Sequence, residues 1–240
     1  MKVSAATTTE YTIRDQERMQ LAPRYFRWQA ELAEAAIGDR VLEIGCGVGN
    51  FTQHLLKKSL VVAVDIEGSC IDRMAEAFPG CPNLVTCRLD VQDPDFIALR
   101  RYDVDSIVCL NVLEHVRDDA LALRHMHAVL PSGGRVVLIV PAFEALYGPI
   151  DRRLGHFRRY SKRSVRALAR STGYAAVSLR YMNVIGFFGW HMNAHLLRYT
   201  EQSASQIRIF DRCCVPVMRR IESWLAPPFG QSLFVVLEKI

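Results

Sequence analysis

A glycine-rich turn near the start of the chain carries the clearest chemical signal. Residues 41–50 read VLEIGCGVGN, an apolar run that ends in a Gly-x-Gly-x-Gly sequence at Gly45, Gly47 and Gly49. Glycines at this spacing permit a tight turn and let a ligand approach the backbone closely. The turn is one residue shorter than the Gly-x-Gly-x-x-Gly turn of dinucleotide-binding proteins, and Glu43 would repel a pyrophosphate. We therefore expect a ligand that lacks a pyrophosphate and carries positive charge.

Two aspartates end the next two apolar runs of the chain. Asp65 lies 20 positions after Gly45, where an acid at a strand end can accept hydrogen bonds from both ribose hydroxyls. Asp90 precedes Val91, so the acid can accept from an adenine amine while its apolar neighbour lines the ring. Because the carboxyl ends of parallel strands meet at one crevice, the turn and the two acids predict a single nucleoside-binding site.

Alternating strands and helices must position these residues. Short apolar runs alternate with segments of helical spacing, which is the pattern of a parallel sheet covered by helices on both faces. Strands are expected at 41–45, 60–65, 84–90, 104–111, 135–140, 175–183 and 232–240, and helices at 13–36, 51–58, 69–78, 95–101, 118–130 and after Ser161.

Composition and charge restrict the class of protein. The net charge is +5, but residues 152–170 hold eight arginines and lysines and no acid, which leaves −3 for the rest. This local clustering of basic residues argues against a protein whose whole surface is basic for binding nucleic acid. No apolar run reaches the length of a membrane-spanning helix, and residues 1–10 lack the apolar block of a signal peptide. The seven cysteines form no disulfide framework or metal-ligand pattern, so we expect small buried thiols in a reducing cytoplasm.

Four segments resemble the consecutive motifs of class I S-adenosylmethionine-dependent methyltransferases. They are VLEIGCGVGNFT, VVAVDIEG, RLDVQD and DSIVCLNVLEHV, within about residues 38–140. The resemblance implies an α/β fold with a Rossmann-like seven-stranded, mostly parallel sheet and an antiparallel last strand. It also implies S-adenosyl-L-methionine as the cofactor and S-adenosyl-L-homocysteine as its product. The later segments LYGPIDRRLGHFRRYSKRSVRALARSTGY, YMNVIGFFGW and PPFGQSLFVVLEK resemble a bacterial subgroup that accompanies glycan and natural-product genes.

The resemblance assigns roles along the cofactor. It places five residues at the methionine part: Glu43, Gly45, Cys46, Gly47 and Gly49. It places Asp65 and Ile66 at the ribose, Asp90 and Val91 at the adenine, and Asn111, Val112 and His115 where the pocket closes. Two aromatic residues on the preceding helix, Tyr25 and Trp28, could cover the cofactor.

The chain divides into four expected segments. Residues 1–36 form an N-terminal tail and helices, 37–183 the cofactor-binding core, 184–230 a helical cap inserted before the last strand, and 231–240 that strand. The insert is compatible with capping a hydrophobic acceptor, touching a membrane surface or forming a homodimer face. Its aromatic residues are Phe187, Phe188, Trp190, Tyr199, Phe210, Trp224 and Phe229.

Catalysis needs few residues, because methyl transfer from a sulfonium is an in-line displacement that the protein mainly aligns. A base is required only if the acceptor must lose a proton. His156 is suited to that role, or else bonds a loop carbonyl. Arg159 and Tyr160, with Arg158, could bind an anionic acceptor, or else form salt bridges or a solvated face.

Further candidates follow the fifth and sixth strands, among them Asp151 and Asn183. His191 and His195 are four residues apart and share a helix face, but a metal ion would need a third ligand. We therefore expect no metal site.

Three functions remain open. The first is a methyltransferase acting on an O, N or C nucleophile of a small molecule, such as a natural-product or glycolipid intermediate. The second is an RNA or protein methyltransferase, which predicts a continuous basic surface beyond residues 152–170. The third is a non-catalytic adenosylmethionine-binding or scaffold protein. The charge of −3 outside the basic segment disfavours the second, and the complete cofactor motifs disfavour the third.

Overall fold

A seven-stranded sheet organises the chain in the computed structural model, which describes residues 13–240. The strand order is β3-β2-β1-β4-β5-β7-β6. The first five strands are parallel, and β7 runs antiparallel to both β5 and β6. The predicted α/β fold with an antiparallel last strand is confirmed. The strands are β1 (Arg40–Ile44), β2 (Leu60–Asp65), β3 (Leu84–Arg88), β4 (Ser106–Leu110), β5 (Arg135–Pro141), β6 (Tyr174–Met182) and β7 (Ser232–Lys239).

Helices cover both faces of the sheet. Residues 13–19 are helical (α1), and several short 3-10 turns follow strand ends. The other helices are α2 (Pro23–Glu34), α3 (Gly68–Ala77), α4 (Asp119–Val129), α5 (Pro149–Leu154), α6 (Lys162–Ser171), α7 (Val184–Met192), α8 (Ala204–Ile209) and α9 (Val215–Trp224).

The core has two layers because successive strand residues point to opposite faces of the sheet. Leu42 packs on one face with the side chains of α4 and α6. Val41 packs on the other face with Trp28 of α2 and Met218 of α9. Both strand residues are fully buried, and each contributes about 1.5–3 kcal/mol to the free energy of unfolding.

The strand order reverses direction between β1 and β4, which opens a crevice at the carboxyl ends of these strands. The backbone N–H of Gly45 donates to the Val64 carbonyl over 2.8 Å, so the glycine turn begins against the end of β2. Asp65 is the last residue of β2, and Asn111 follows β4 directly. The predicted site residues are therefore neighbours at one edge of the sheet.

Two predicted elements differ in the structure. The helix expected over 51–58 is a single 3-10 turn, Thr52–His54, because Phe51 and Leu55 are both drawn into the core. The strand expected to reach Asp90 ends at Arg88. Asp90 instead forms a turn in which its carboxylate accepts from the backbone N–H of Gln92 over 2.8 Å.

The helices between β6 and β7 pack against two different parts of the molecule. α9 packs against α2 on one face of the sheet, through Val215 and Met218. α7 and the π-helical turn Asn193–Leu197 lie instead beside the loop that follows β5, where Ala194 would touch a Cβ placed on Gly148. Within residues 13–240, no helix is both long and apolar enough to cross a membrane.

Candidate functional site

The glycine turn needs its glycines for both conformation and space. Gly45, Gly47 and Gly49 have φ angles of 74°, 53° and 87°, in the left-handed region that disfavours residues with a Cβ. A Cβ on Gly45 would lie 2.2 Å from Val112 Cγ2. The turn is therefore a bare-backbone cradle held against the loop after β4. Cys46 packs into a small apolar cluster with Met74 and contributes its backbone to the cradle.

Glu43 is a buried acid directly beneath the turn. It is 4% exposed, and its Oε2 accepts a hydrogen bond from Thr52 Oγ1 over 2.7 Å. Burial raises the pKa of Glu43 to about 8, and the charge of Asp65 adds to the shift. A cationic ligand bound here would favour the ionised carboxylate, which fits the predicted methionine end of the cofactor.

Asp65 fixes the turn and keeps acceptor capacity. Its Oδ2 accepts from the N–H of Gly47 and its Oδ1 from the N–H of Glu67, each over 2.9 Å. A carboxylate offers about four acceptor positions, so two remain for ribose hydroxyls. Burial raises the pKa of Asp65 despite these bonds. Ile66 next to it is 55% exposed, as expected of an apolar residue that contacts the cofactor.

Three side chains predicted to contact the cofactor pack within the apolar core instead of lining the crevice. Val91 is 4% exposed and packs in the core, so its side chain does not line an open adenine site. Trp28 is 2% exposed within the α2–α9 layer, and the ring of Tyr25 packs against Trp28 and Phe210. Neither aromatic ring lies over the cradle in this arrangement, because the apolar layer between α2 and the sheet holds both.

The helix α1 approaches the cradle instead. The side chain of Gln16 would lie 2.8 Å from a Cβ on Gly47, and its backbone carbonyl accepts from Asn50 Nδ2 over 2.8 Å. Its neighbour Asp15 is 2.8 Å from Arg153 Nη1 of α5. The helix therefore bridges the cradle and the later loops. The sequence predicted a helix here, but no motif marked Gln16.

Strained residues mark the same edge of the sheet. Asn111 after β4, Phe143 after β5 and Asn183 after β6 have φ angles of 54°, 61° and 66°. Left-handed backbone is uncommon for residues other than glycine and concentrates at functional sites. Three successive strand ends thus turn sharply into the loops that would hold a methyl acceptor.

Asp151 of α5 organises the loop after β5. It is fully buried, and His156 Nδ1 lies 2.8 Å from its Oδ1. Its carboxylate also accepts from Arg159, from the N–H of Gly148 and from Trp190 Nε1. Burial alone would raise the pKa of Asp151, but the His156 hydrogen bond and the Arg159 charge outweigh it and lower the pKa to about 2.

The side chains of Arg158, Arg159 and Tyr160 bond protein groups and do not form an open anion site. Arg159 is 6% exposed, and its guanidinium donates to Asp151 and to the Ala142 carbonyl. Arg158 Nη1 lies 2.7 Å from Asp119 Oδ2, and the Tyr160 hydroxyl donates to the same carboxylate. Protein groups therefore already accept from Arg159 and Tyr160, and their action on the acceptor stays a prediction.

A second cluster faces the cleft. One ligand atom each of Glu114, His115 and His156 lies within 4.8 Å of the others, and the two imidazole rings meet edge to face at 4.6 Å. Burial raises the pKa of Glu114 to about 7, and desolvation lowers the pKa of His115 to about 4. Sequence analysis missed Glu114, although an acid inside the apolar run CLNVLEHV signals a buried carboxyl.

Three other candidates, His191, His195 and Asn183, lie at the side of this region. The rings of His191 and His195 are 4.5 Å apart, and His195 Nε2 is 2.9 Å from the Ala145 carbonyl. Asn183 caps α7 by accepting from the N–H of Gly186 over 2.8 Å. These contacts tie α7 and the following turn to the loop after β5.

Comparison with known proteins identifies the family. A family model described as a methyltransferase domain matches residues 16–179. The ubiquinone biosynthesis O-methyltransferase of Acinetobacter baumannii (strain ACICU) is 25% identical over 120 residues, which is 49% of this chain and 50% of that protein. The chain spans about half the length of the curated relatives it matches.

Solved structures share the fold over most of the chain. A Haloferax volcanii methyltransferase in complex with the Trm112 activator has a TM-score of 0.63 at 17% identity, covering 96% of this chain and 97% of that one. The N-methyltransferase NodS from Bradyrhizobium japonicum WM9, solved with S-adenosyl-L-homocysteine, has a TM-score of 0.54 at 16% identity, covering 94% and 85%. Because the family model matches more than half of it, the chain belongs to the methyltransferase domain family.

Proposed function

We propose that this methyltransferase acts on a small molecule, with the reacting group bound beside His115 and His156. The observation that carries the proposal is the pairing of the basic residues nearest the cleft. Arg153, Arg158 and Arg159 are each paired with an acid. These three arginines are therefore not available to a continuous basic surface of the kind that an RNA substrate requires.

An apolar acceptor fits the remaining surroundings. Phe143 stacks on Tyr181 at 4.8 Å, and Phe187 meets both Phe143 and Phe229. This aromatic cluster lies where β5, β6 and α7 meet, next to the strained turn at Phe143. It supports a natural-product or glycolipid intermediate with an aromatic or lipid portion, and it assigns the capping role to α7 rather than to α8 and α9.

The cradle residues fit the cofactor. Glu43 would hold the positively charged methionine end, and Asp65 and Ile66 would hold the ribose. The cofactor supplies an electrophilic methyl group on a sulfonium, and transfer forms one bond to the acceptor while the sulfur–carbon bond breaks. The name of the Acinetobacter relative supports an oxygen nucleophile. The seven free thiols support a reducing, cytoplasmic setting.

Radiolabelled methyl transfer tests the proposal. The protein is incubated with methyl-labelled S-adenosylmethionine and, separately, a bacterial lipid extract, a low-mass polar extract, total RNA and total protein. We expect label in the lipid or low-mass fraction. Label in RNA or protein alone would overturn the small-molecule proposal.

The cofactor assignment has its own control. Asp65→Ala should abolish most of the thermal stabilisation by S-adenosylhomocysteine, because it removes the ribose acceptor and one anchor of the turn. Asp118→Ala removes a comparable backbone acceptor, the cap on Leu121 N–H at the start of α4. It should cost about 1 kcal/mol of stability and keep the ligand-induced shift. Equal shifts in both variants would refute the role of Asp65.

A further inference from the structure

We propose that Glu114, His115 and His156 bind a divalent transition-metal ion at the acceptor end of the cleft. Their ligand atoms lie within 4.8 Å of one another without an ion. Two imidazoles and one carboxylate form a frequent ligand set for Zn²⁺ and for non-haem Fe²⁺. Spacing along the chain did not indicate this set, because His156 lies about 40 residues after the other two.

The state of Glu114 points independently to a missing partner. Its side chain is almost wholly buried, at 1% exposure, and its Oε2 has no hydrogen-bond partner among the described residues. Burying an unpaired carboxyl oxygen costs free energy that a bound cation would recover. The backbone carbonyl of Glu114 accepts from the N–H of Phe157 over 2.8 Å, which ties this turn to the His156 loop.

Both histidines have the supporting contacts that metal ligands require. His156 Nδ1 is engaged by Asp151, so Nε2 is the nitrogen left for a ligand. The His115 ring bonds the backbone of Leu154. Metal-bound histidines usually donate their second N–H to a carboxylate or a carbonyl in this way, which fixes the ring and its tautomer.

Charge and distance also suit an ion. Glu114 and Asp151 bring two carboxyl groups to the cluster, against the single guanidinium of Arg159. Tetrahedral ligands at about 2.1 Å from Zn²⁺ lie about 3.4 Å apart, so an ion would draw the three side chains inward by about 1 Å. His115 has solvent-exposed surface, so an ion can reach the cluster.

The role of the ion in catalysis rests on the proposed function. Val112, which packs on Gly45, lies three residues before His115, so one short segment both touches the donor cradle and would supply a ligand to the ion. An acceptor oxygen bound there would lose its proton to water more readily, because a Lewis acid stabilises the oxyanion. Nε2 of His156 would then be a ligand rather than the base that the sequence suggested.

Cobalt titration tests the site directly. Tag-free protein is stripped with chelator and titrated with Co²⁺, and the visible absorption of bound cobalt is recorded. We expect one equivalent to bind and Zn²⁺ to displace it. Glu114→Gln and His156→Ala should weaken binding by about 100-fold or more, and Asp151→Asn by about 10–100-fold.

The neighbouring pair His191 and His195 provides the matched control. Replacing both with alanine should leave cobalt binding unchanged, and each cluster variant should keep its thermal shift with S-adenosylhomocysteine if it folds. Absent stoichiometric binding, or binding lost only in the control variant, overturns the metal site. Small-molecule methylation that persists at full rate without cobalt binding would refute the ion and leave the proposed function intact.

Discussion

The two sides of the cleft use their polar groups in opposite ways. On the donor side, glycine backbone makes the shape, and Glu43 and Asp65 keep acceptor capacity toward the ligand. On the acceptor side, Asp151 and Arg159 bond each other in the interior, and the buried Glu114 lies beside the exposed His115. The donor side is therefore a ligand cradle, whereas the acceptor side is a buried ionic network that supports a few exposed groups.

This contrast makes Arg159 a structural residue. Arg159→Ala would leave the buried Asp151 carboxylate without its guanidinium and should lower the free energy of unfolding by about 3–5 kcal/mol. Chemical denaturation measures the loss. Arg163→Ala, at an exposed position on α6, should change stability by no more than about 0.5 kcal/mol. Unchanged stability with a raised KM for the acceptor would instead make Arg159 a substrate contact.

The donor side should lose stability as pH rises. The carboxyl of Glu43 ionises near 4.5 in the unfolded chain and near 8 in the folded protein without cofactor. Its contribution to stability is therefore complete below pH 4.5 and is lost as pH rises to 8, by a few kcal/mol.

Glu43→Gln isolates this effect. The variant should match the wild type near pH 5 and exceed its stability by a few kcal/mol near pH 8, while binding S-adenosylhomocysteine more weakly. Denaturation at several pH values gives the difference between the two proteins. A difference that does not grow with pH would show that Glu43 stays ionised in the folded protein.

A smaller effect distinguishes the cost of a left-handed backbone from the cost of a steric clash in the cradle. Gly45→Ala combines a left-handed backbone with a clash against Val112 and should cost about 2–3 kcal/mol and most of the cofactor affinity. Gly133→Ala has a similar φ of 75° and no atom within 4 Å of the new Cβ, so about 1 kcal/mol is expected. Equal losses would mean that Val112 moves aside freely.

The smallest effect is expected away from both sides of the cleft. Trp224 at the end of α9 is 86% exposed, so Trp224→Ser should change the free energy of unfolding by less than about 0.5 kcal/mol. Sedimentation of the wild type and the variant tests the dimer-face interpretation of this segment. A dimer that dissociates in the variant would add an interface to the comparison.

Spacing along the chain predicted the donor side well. Gly45, Gly47 and Asp65 meet at one crevice, as expected, because parallel strands place their carboxyl ends together. Spacing could not show that Val91 and Trp28 are buried in the core, since an apolar residue in a motif can serve the core or the ligand and only packing distinguishes them. It also failed for residues 51–58, where anchoring of Phe51 and Leu55 replaced helical propensity.

The acceptor side depended on contacts that spacing does not encode. The amino-acid sequence by itself determined the sheet, the glycine cradle and its acids, because apolar periodicity and the backbone conformation of glycine are local properties. Only the tertiary structure paired Arg159 with Asp151 and brought His156 beside Glu114 and His115. These residues come from separate loops, so their ion pairs and hydrogen bonds form only when folding brings the loops together and buries them.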